Sequence, residues 1–304
     1  MSAIQPRRDR VLQGIAWILL AVALFAVVHV LVKRLGETYP VAQMMFFRSA
    51  FALLPALAMV LRHPRGLGVL RSASPLGHVA RSGFGIFAMA TTFAAFQYIP
   101  AADVVAINFA APIFVTALSV PLLGEGVGWR RWLAVVAGFA GVMVMLQPGA
   151  MLAAPGGDTA LGSALALASA VAYAGVVIAI RQVSRVDAGE AIVFFYMAIV
   201  AIATLPTLPF LWVAPASALD LAMLVALGVV GGIAQVFLTR GYEVAPPAAV
   251  MPFEYASLLA TALLAWAFWG ELPTSAGLAG GAIVIASGLF LFYREARLAL
   301  VRRP

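Results

Sequence analysis

Glu254 is a carboxylate inside an apolar stretch long enough to cross a bilayer, PPAAVMPFEYASLLATALLAWAFWGELP, from Pro246 to Pro273. A charge near the centre of a membrane helix costs about 2.5–3.5 kcal/mol on insertion scales, so charges there are rare and functional by default. A carboxyl group in such a place could bind a proton in one state and release it in another. Ser257 and Thr261 follow at i+3 and i+7, which places all three on one helical face. A polar stripe of that kind points into a bundle or cavity. Pro252, just before Glu254, cannot donate to the helix ladder and frees a carbonyl one turn back. The competing reading is packing, with Glu254 hydrogen-bonded between helices.

Arg48 is the second charge inside an apolar run. Its forked guanidinium suits a substrate carboxylate or phosphate. The alternative is a structural arginine tied to helix-end carbonyls or snorkelling outward. At 1.5 Å per residue, Arg48 and Glu254 each lie ~10 Å deep, from opposite sides. That spacing favours a substrate or water between them over a direct ion pair. Around them we expect a cavity lined by Asn108, Tyr173, Tyr196, Gln235 and Tyr255. Gln235, Thr239 and Tyr242 share one helical face, as do Ser169 with Tyr173, Phe25 with His29, and Asn108 with Pro112. For His29, Gln235 and Tyr173, packing is the competing reading. No HExxH, P-loop or GxSxG motif occurs, so we expect no metal, no cofactor and no enzyme. Without an ATP-binding motif, movement of a solute must be driven by a gradient or run downhill.

The elements that position these residues follow from composition. Of 304 residues, 64% are hydrophobic and 10% charged, against about 45–50% and 25% in soluble domains. Apolar runs of 18 or more recur along the chain, the pattern of an all-α polytopic membrane protein. Ten spans are expected, near Leu12–Val32, Val41–Leu61, Ser82–Tyr98, Asp103–Leu123, Trp129–Gln147, Ala160–Ile180, Glu190–Trp212, Ala218–Thr239, Pro247–Trp269 and Ser275–Phe292. The first run is a full span with no small-residue cleavage site after it, so it is expected to remain as a helix. The segments are too long and uniformly apolar for barrel strands. Ten spans put both termini on one side. Placing that side in the cytoplasm leaves sixteen basic residues inside and two, Lys33 and Arg34, outside, which is the positive-inside pattern. That count assigns Arg81 to a cytoplasmic loop, and His63 and His78 are also expected in loops. The net charge of +7 therefore reports topology, and nucleic acid is not a partner. There is no cysteine, hence no disulfide or thiol chemistry.

The two halves repeat. Asn108 and Glu254 correspond at an offset of 146, as do Gly124-Glu125 with Gly270-Glu271 and Pro100 with Pro246. At an offset of 148, Gly14 meets Gly162, Phe25 meets Tyr173, Lys33 meets Arg181, Phe46-Phe47 meets Phe194-Phe195 and Arg48 meets Tyr196. Five spans per copy is an odd number, so the second copy is expected upside down, a plan that gives two near-equivalent arrangements open to opposite sides. Gly228-xxx-Gly232 and Gly277-xxx-Gly281 are small-xxx-small patterns for close helix approach within the bundle. Glu125 and Glu271 are expected as helix-end anchors.

The 5+5 arrangement, the turn Tyr98-Ile99-Pro100-Ala101, and the Gly-Glu pairs closing spans four and nine resemble the EamA family of the drug/metabolite transporter superfamily. The second copy departs from the turn pattern, reading Val244-Ala245-Pro246-Pro247. The resemblance implies two EamA repeats, residues 12–147 and 160–293. It also implies a cell inner (cytoplasmic) membrane location with both termini cytoplasmic, and a central cavity. On this reading the chain is expected to be a monomeric secondary active transporter of a small polar or zwitterionic metabolite, an amino acid or derivative first, coupled to protons at Glu254. Its partners are then the substrate, the lipid bilayer and protons. The alternatives are a carrier of a vitamin such as riboflavin or of S-adenosylmethionine, which the resemblance brings in, or a passive facilitator or channel.

Overall fold

Where water is absent, a helix satisfies its backbone N–H and C=O groups within one segment, so apolar runs fold as helices. The computed structural model describes residues 8–111, 113–115, 117–118, 129–146, 157–245 and 251–301, and these contain helices, turns and loops with no strand. The first half gives α1 (Arg8–Gly36), α2 (Val41–Arg62), α3 (Pro75–Ala95), α4 (Ala101–Asn108) and α5 (Trp129–Leu146). The second gives α6 (Asp158–Val183), α7 (Gly189–Thr204), α8 (Ala218–Val244), α9 (Ala256–Trp269) and α10 (Ser275–Val301). Helical turns Leu205–Thr207 and Leu208–Leu211 prolong α7. Five segments are long and apolar enough to cross a membrane: Arg10–Gly36, Val41–Arg62, Asp158–Val183, Gly189–Leu211 and Ala218–Tyr242. Shorter apolar helices cover Ala101–Val115, Val136–Met145, Phe253–Trp269 and Ser275–Phe290. Pro112, the Gly124-Glu125 pair, Pro246 and most of the central Gly- and Pro-rich loop lie outside the described residues.

Packing follows the repeat. α1 lies against α8, and its counterpart α6 lies against α3. α2 packs on α8 as α7 packs on α3, and α1 on α9 as α6 on α4. The pairs α2–α7, α4–α9 and α5–α10 close the bundle by joining corresponding helices. The buried core includes Val32, Leu35, Met44, Phe96, Val104, Ile107, Leu224 and Leu227. Small residues allow the closest approach: a Cβ on Gly228 or Gly232 of α8 would strike Phe47, Phe51, Ala52 or Pro55 of α2. This is the small-xxx-small contact expected from sequence.

The corresponding spans four and nine both depart from regular α-helix. α4 stops at Asn108, and Phe109 and Ala110 form a turn held by i→i+3 bonds, Phe109 N to Ala106 O at 3.2 Å and Ala110 N to Ile107 O at 2.9 Å. On the other side, Met251–Tyr255 is a 3-10 turn and α9 begins only at Ala256. Glu254 thus sits in a tight turn ahead of the helix, not in the single α-helical stripe with Ser257 and Thr261 that the spacing suggests. Pro252, which lacks an N–H, disfavours α-helix here. 3-10 turns of this kind are frequent at the N-termini of α-helices.

Polar loop contacts tie the halves together at both ends of the bundle. At one end Tyr39 donates to Asp220 Oδ2 at 2.7 Å, Ala216 N donates to Tyr39 at 3.1 Å, and the Gln43 side chain forms a pair of bonds with the backbone of Val213 at 2.8 and 2.9 Å. At the other, Asp187 accepts from Ser72 Oγ at 2.6 Å, Ala73 N at 2.9 Å and His78 Nε2 at 2.9 Å. His78 is therefore a buried residue of α3 and not an exposed loop histidine. Burial pushes the Asp187 carboxyl up, but the bonds from Ser72, Ala73 and His78 more than offset this and hold it below the usual carboxylate range. A depressed folded pKa stabilises the fold at neutral pH, and that stabilisation is lost as pH falls below the unfolded Asp value of about 3.9 and through the lower folded one. Asp187→Asn leaves a buried donor unpaired and should cost about 1–3 kcal/mol at neutral pH. Thermal unfolding of purified protein across pH checks this, and the gap between wild type and variant should close in acid.

Candidate functional site

The polar residues inside the bundle gather in one region. Tyr242 of α8 donates to Glu254 Oε1. Tyr173 of α6 is half-exposed and lies within electrostatic reach of Glu254, Arg81 and Tyr196. Tyr255 is also within reach of Glu254 and packs its ring on Phe109, just past the break in α4, with centroids 4.8 Å apart. From α7, Tyr196 donates to the Gly85 carbonyl of α3 at 3.3 Å and offers its ring face to Arg81, whose guanidinium carbon lies 3.6 Å from the ring centroid. At this separation the contact is a cation–π stack.

Sequence reasoning placed Glu254, Tyr255, Tyr173 and Tyr196 in a cavity, and the fold brings these four together. It adds Arg81 and Tyr242. Arg81 is not in a loop: Ser74-Pro75 starts α3, so Arg81 is two turns inside the helix. Pro at a first helical position is a legible start signal, and it was the available clue. Arg48 is within electrostatic reach of Tyr196 but has its own partners. It is buried, with Nη2 donating to the Gly231 carbonyl of α8 at 3.2 Å and Nη1 4.0 Å from Met197 Sδ. Among the described residues no ion pair joins Arg48 to Glu254. Asn108 is half-buried at the end of α4. Gln235 is half-buried on α8 and its carbonyl accepts from Thr239 Oγ1 at 2.9 Å. His29 pairs with buried Thr261 across α1 and α9 at 3.0 Å. Ser169 turns to α3, bonding Thr92 Oγ1 at 2.5 Å and the Ala88 carbonyl at 3.1 Å.

Glu271 pairs with Lys33 through both oxygens, at 2.5 and 2.7 Å. This ties the end of α9 to α1. A cavity of about 260 Å³ opens beside the pair, lined by residues including Gln97, Tyr98 and Glu37. It lies at the helix ends and contains none of the Glu254 cluster. The cluster of an acid, a guanidinium and four tyrosines is the candidate site. Among the described residues no group of three or more His, Cys, Asp or Glu could hold a metal ion.

Apolar helices packed as two repeats around an internal polar site define a multi-pass membrane carrier of small molecules. The chain matches the EamA-like transporter family over residues 12–147 and 160–293, and belongs to it. It is 28% identical over 284 residues to the S-adenosylmethionine uptake transporter of Rickettsia prowazekii (strain Madrid E), covering 93% of this chain and 94% of that protein. It is 30% identical over 286 residues to the pseudopaline exporter CntI of Pseudomonas aeruginosa (strain UCBPP-PA14), covering 93% and 97%. It is 28% identical over 298 residues to the riboflavin transporter of Rhizobium johnstonii, covering 97% and 95%. A solved crystal structure, 23% identical and covering 98% of this chain and 100% of its own, has the same fold with a TM-score of 0.62. The protein is a small-metabolite transporter, a multi-pass protein of the inner membrane and not an enzyme.

Proposed function

We propose that this chain is a proton-coupled secondary carrier of a zwitterionic metabolite, an amino acid or a derivative carrying an amino-acid end. The observation that carries the reading is the internal site itself. It holds an acid, Glu254, and basic side chains within one bundle, with tyrosines between them. A zwitterion presents one group to each charge, so neither is left buried without a counter-charge. The likeness to an S-adenosylmethionine uptake transporter supports this class, because that solute has an amino-acid end. Glu254 is the proton site in this reading. Arg81, Tyr242, Asn108, Tyr173, Tyr196, Gln235 and Tyr255 make up the rest of the candidate site, and Arg48, expected there from sequence, is instead bound to the Gly231 carbonyl.

The carrier works as a monomer of ten spans in a 5+5 inverted repeat, with both termini cytoplasmic. The repeats are 12–147 and 160–293. The paired packing of α1 on α8 with α6 on α3 supports the inverted arrangement. Both faces of the site then have matching hairpins that can part alternately. An uncharged aromatic vitamin is the second reading, favoured by the four tyrosine rings and by the likeness to a riboflavin transporter. It leaves the charges of the site without partners. The test is uptake into proteoliposomes of a metabolite panel with and without an imposed pH gradient. Accumulation of a zwitterion that collapses with the gradient is expected. Gradient-insensitive flux without counterflow identifies a passive facilitator instead.

A further inference from the structure

Two guanidinium groups lie inside this bundle, and their surroundings differ in kind. Arg48 occupies the position that Tyr196 occupies in the second repeat, 148 residues on. Each donates to a glycine carbonyl on a neighbouring helix, Arg48 to Gly231 at 3.2 Å and Tyr196 to Gly85 at 3.3 Å. Those two glycines are themselves 146 residues apart, the offset of the later part of the repeat. Arg48 and Tyr196 are thus one helix-to-helix tie made twice, with different side chains. Arg48 is walled in: it is 6% exposed, and any side chain at Gly231 would run into its guanidinium.

Arg81 has no such role. Its counterparts in the second repeat, Leu227 at an offset of 146 or Val229 at 148, are apolar, so the frame of the fold does not require a charge there. Its Nε and Nη1 are buried and find no hydrogen-bond acceptor. Buried donors are costly when unmet, and a buried cation more so. The Tyr196 ring, 3.6 Å away, covers one face of the guanidinium and fixes its plane. The Tyr196 hydroxyl also lies within hydrogen-bond reach of the guanidinium, and what remains is the edge that carries Nε and Nη1. Among the described residues no carboxylate forms an ion pair with Arg81, and Glu254, the acid of the cluster, accepts from Tyr242. Tyr173 lies within electrostatic reach of both Arg81 and Glu254. An oxyanion is the group this geometry lacks.

We propose that Arg81, stacked on Tyr196, receives the carboxylate of the transported solute, while Arg48 is a structural tie. This rests on the zwitterion reading given above and names which cation carries its acidic end. A guanidinium meets a carboxylate with parallel bonds that an ammonium cannot reproduce. The stack on Tyr196 sets the orientation of that fork.

The experiment compares amino acids with the amines they give on decarboxylation. Uptake into proteoliposomes is measured for L-methionine, L-lysine, L-tryptophan and S-adenosylmethionine, each against its decarboxylated counterpart. Wild type should prefer the carboxylate-bearing member of at least one pair by tenfold or more. R81Q should remove that preference while leaving amine uptake in place, and R48Q should keep it. R81K, which retains charge but not the fork, should show a several-fold smaller preference. It serves also if R81Q does not reconstitute. The acid-to-amine ratio is the readout because partial misfolding lowers both members together. If R81Q and R81K keep the wild-type ratio, or R48Q alone loses it, the assignment to Arg81 is wrong while the zwitterion reading stands. If wild type prefers the carboxylate in no pair, the zwitterion reading falls and the assignment with it.

Discussion

Glu254→Gln should cut pH-gradient-driven accumulation at least tenfold and leave solute counterflow largely intact. The argument starts from the repeat. Position 254 corresponds to Asn108, so the frame tolerates a side-chain amide of similar shape at this site. Asn108 is the last residue of α4 before the turn at Phe109, and Glu254 lies in the 3-10 turn that leads into α9. The carboxyl group therefore adds something that the architecture does not need. An amide retains the carbonyl oxygen that accepts from Tyr242, so the packing of α8 against the turn should survive. It does not bind and release a proton. An ionised acid in a membrane interior costs about 2.5–3.5 kcal/mol on insertion scales, so thermal stability should be unchanged or higher in the variant. Proteoliposomes with an imposed pH gradient measure the first effect, and counterflow with no gradient measures the second. Wild-type gradient-driven accumulation in the variant would remove Glu254 as the coupling group.

The helices and the duplication were legible because they depend on properties that recur along the chain. Uninterrupted apolar runs define spans, and identical residues at offsets of 146 and 148 define the repeat. The site was partly legible because charge inside an apolar run stands out against its neighbours. Arg81 was missed for the opposite reason. It lies near the start of an apolar run, where a basic residue is normally a topological marker. Its burial is caused by Tyr196, a residue 115 positions later, and such long-range placement leaves no local signature. The same holds for His78, an apparent loop residue until Asp187 closes over it. Arg48 was legible as a buried charge, but the carbonyl that it meets belongs to Gly231 on another helix. The α-helical stripe of Glu254, Ser257 and Thr261 followed from i+3 and i+7 spacing, which assumes a continuous helix. The turn at Met251–Tyr255 breaks that assumption and leaves Thr261 facing His29.

Asp187→Asn and Asp220→Asn should bias the carrier toward opposite faces of the membrane. Tyr39 corresponds to Asp187 at an offset of 148, and Ser72 corresponds to Asp220 at the same offset. On one face the tyrosine hydroxyl donates to Asp220 at 2.7 Å, and on the other the serine hydroxyl donates to Asp187 at 2.6 Å. The bond is one contact of the repeat made twice, with acid and hydroxyl exchanged between partners. Each joins a loop of the first half to the second half, at the first turn of α8 for Asp220 and in the loop before α7 for Asp187. If the halves part at one face in each half-cycle, that face must break its own bond and keep the other. Hydrogen bonds to a charged group contribute roughly 1.5–3 kcal/mol. At the Asp187 end, losing one should shift a two-state equilibrium by about ten- to hundredfold toward opening there. Asp220→Asn should shift it in the opposite sense. The chain has no cysteine, so a single cysteine at Gln97, in the cavity beside Lys33 and Glu271, gives a clean accessibility probe. Labelling by an impermeant maleimide should rise in Asp220→Asn and fall in Asp187→Asn. A change in the same direction for both would mean that these contacts set only stability and not orientation.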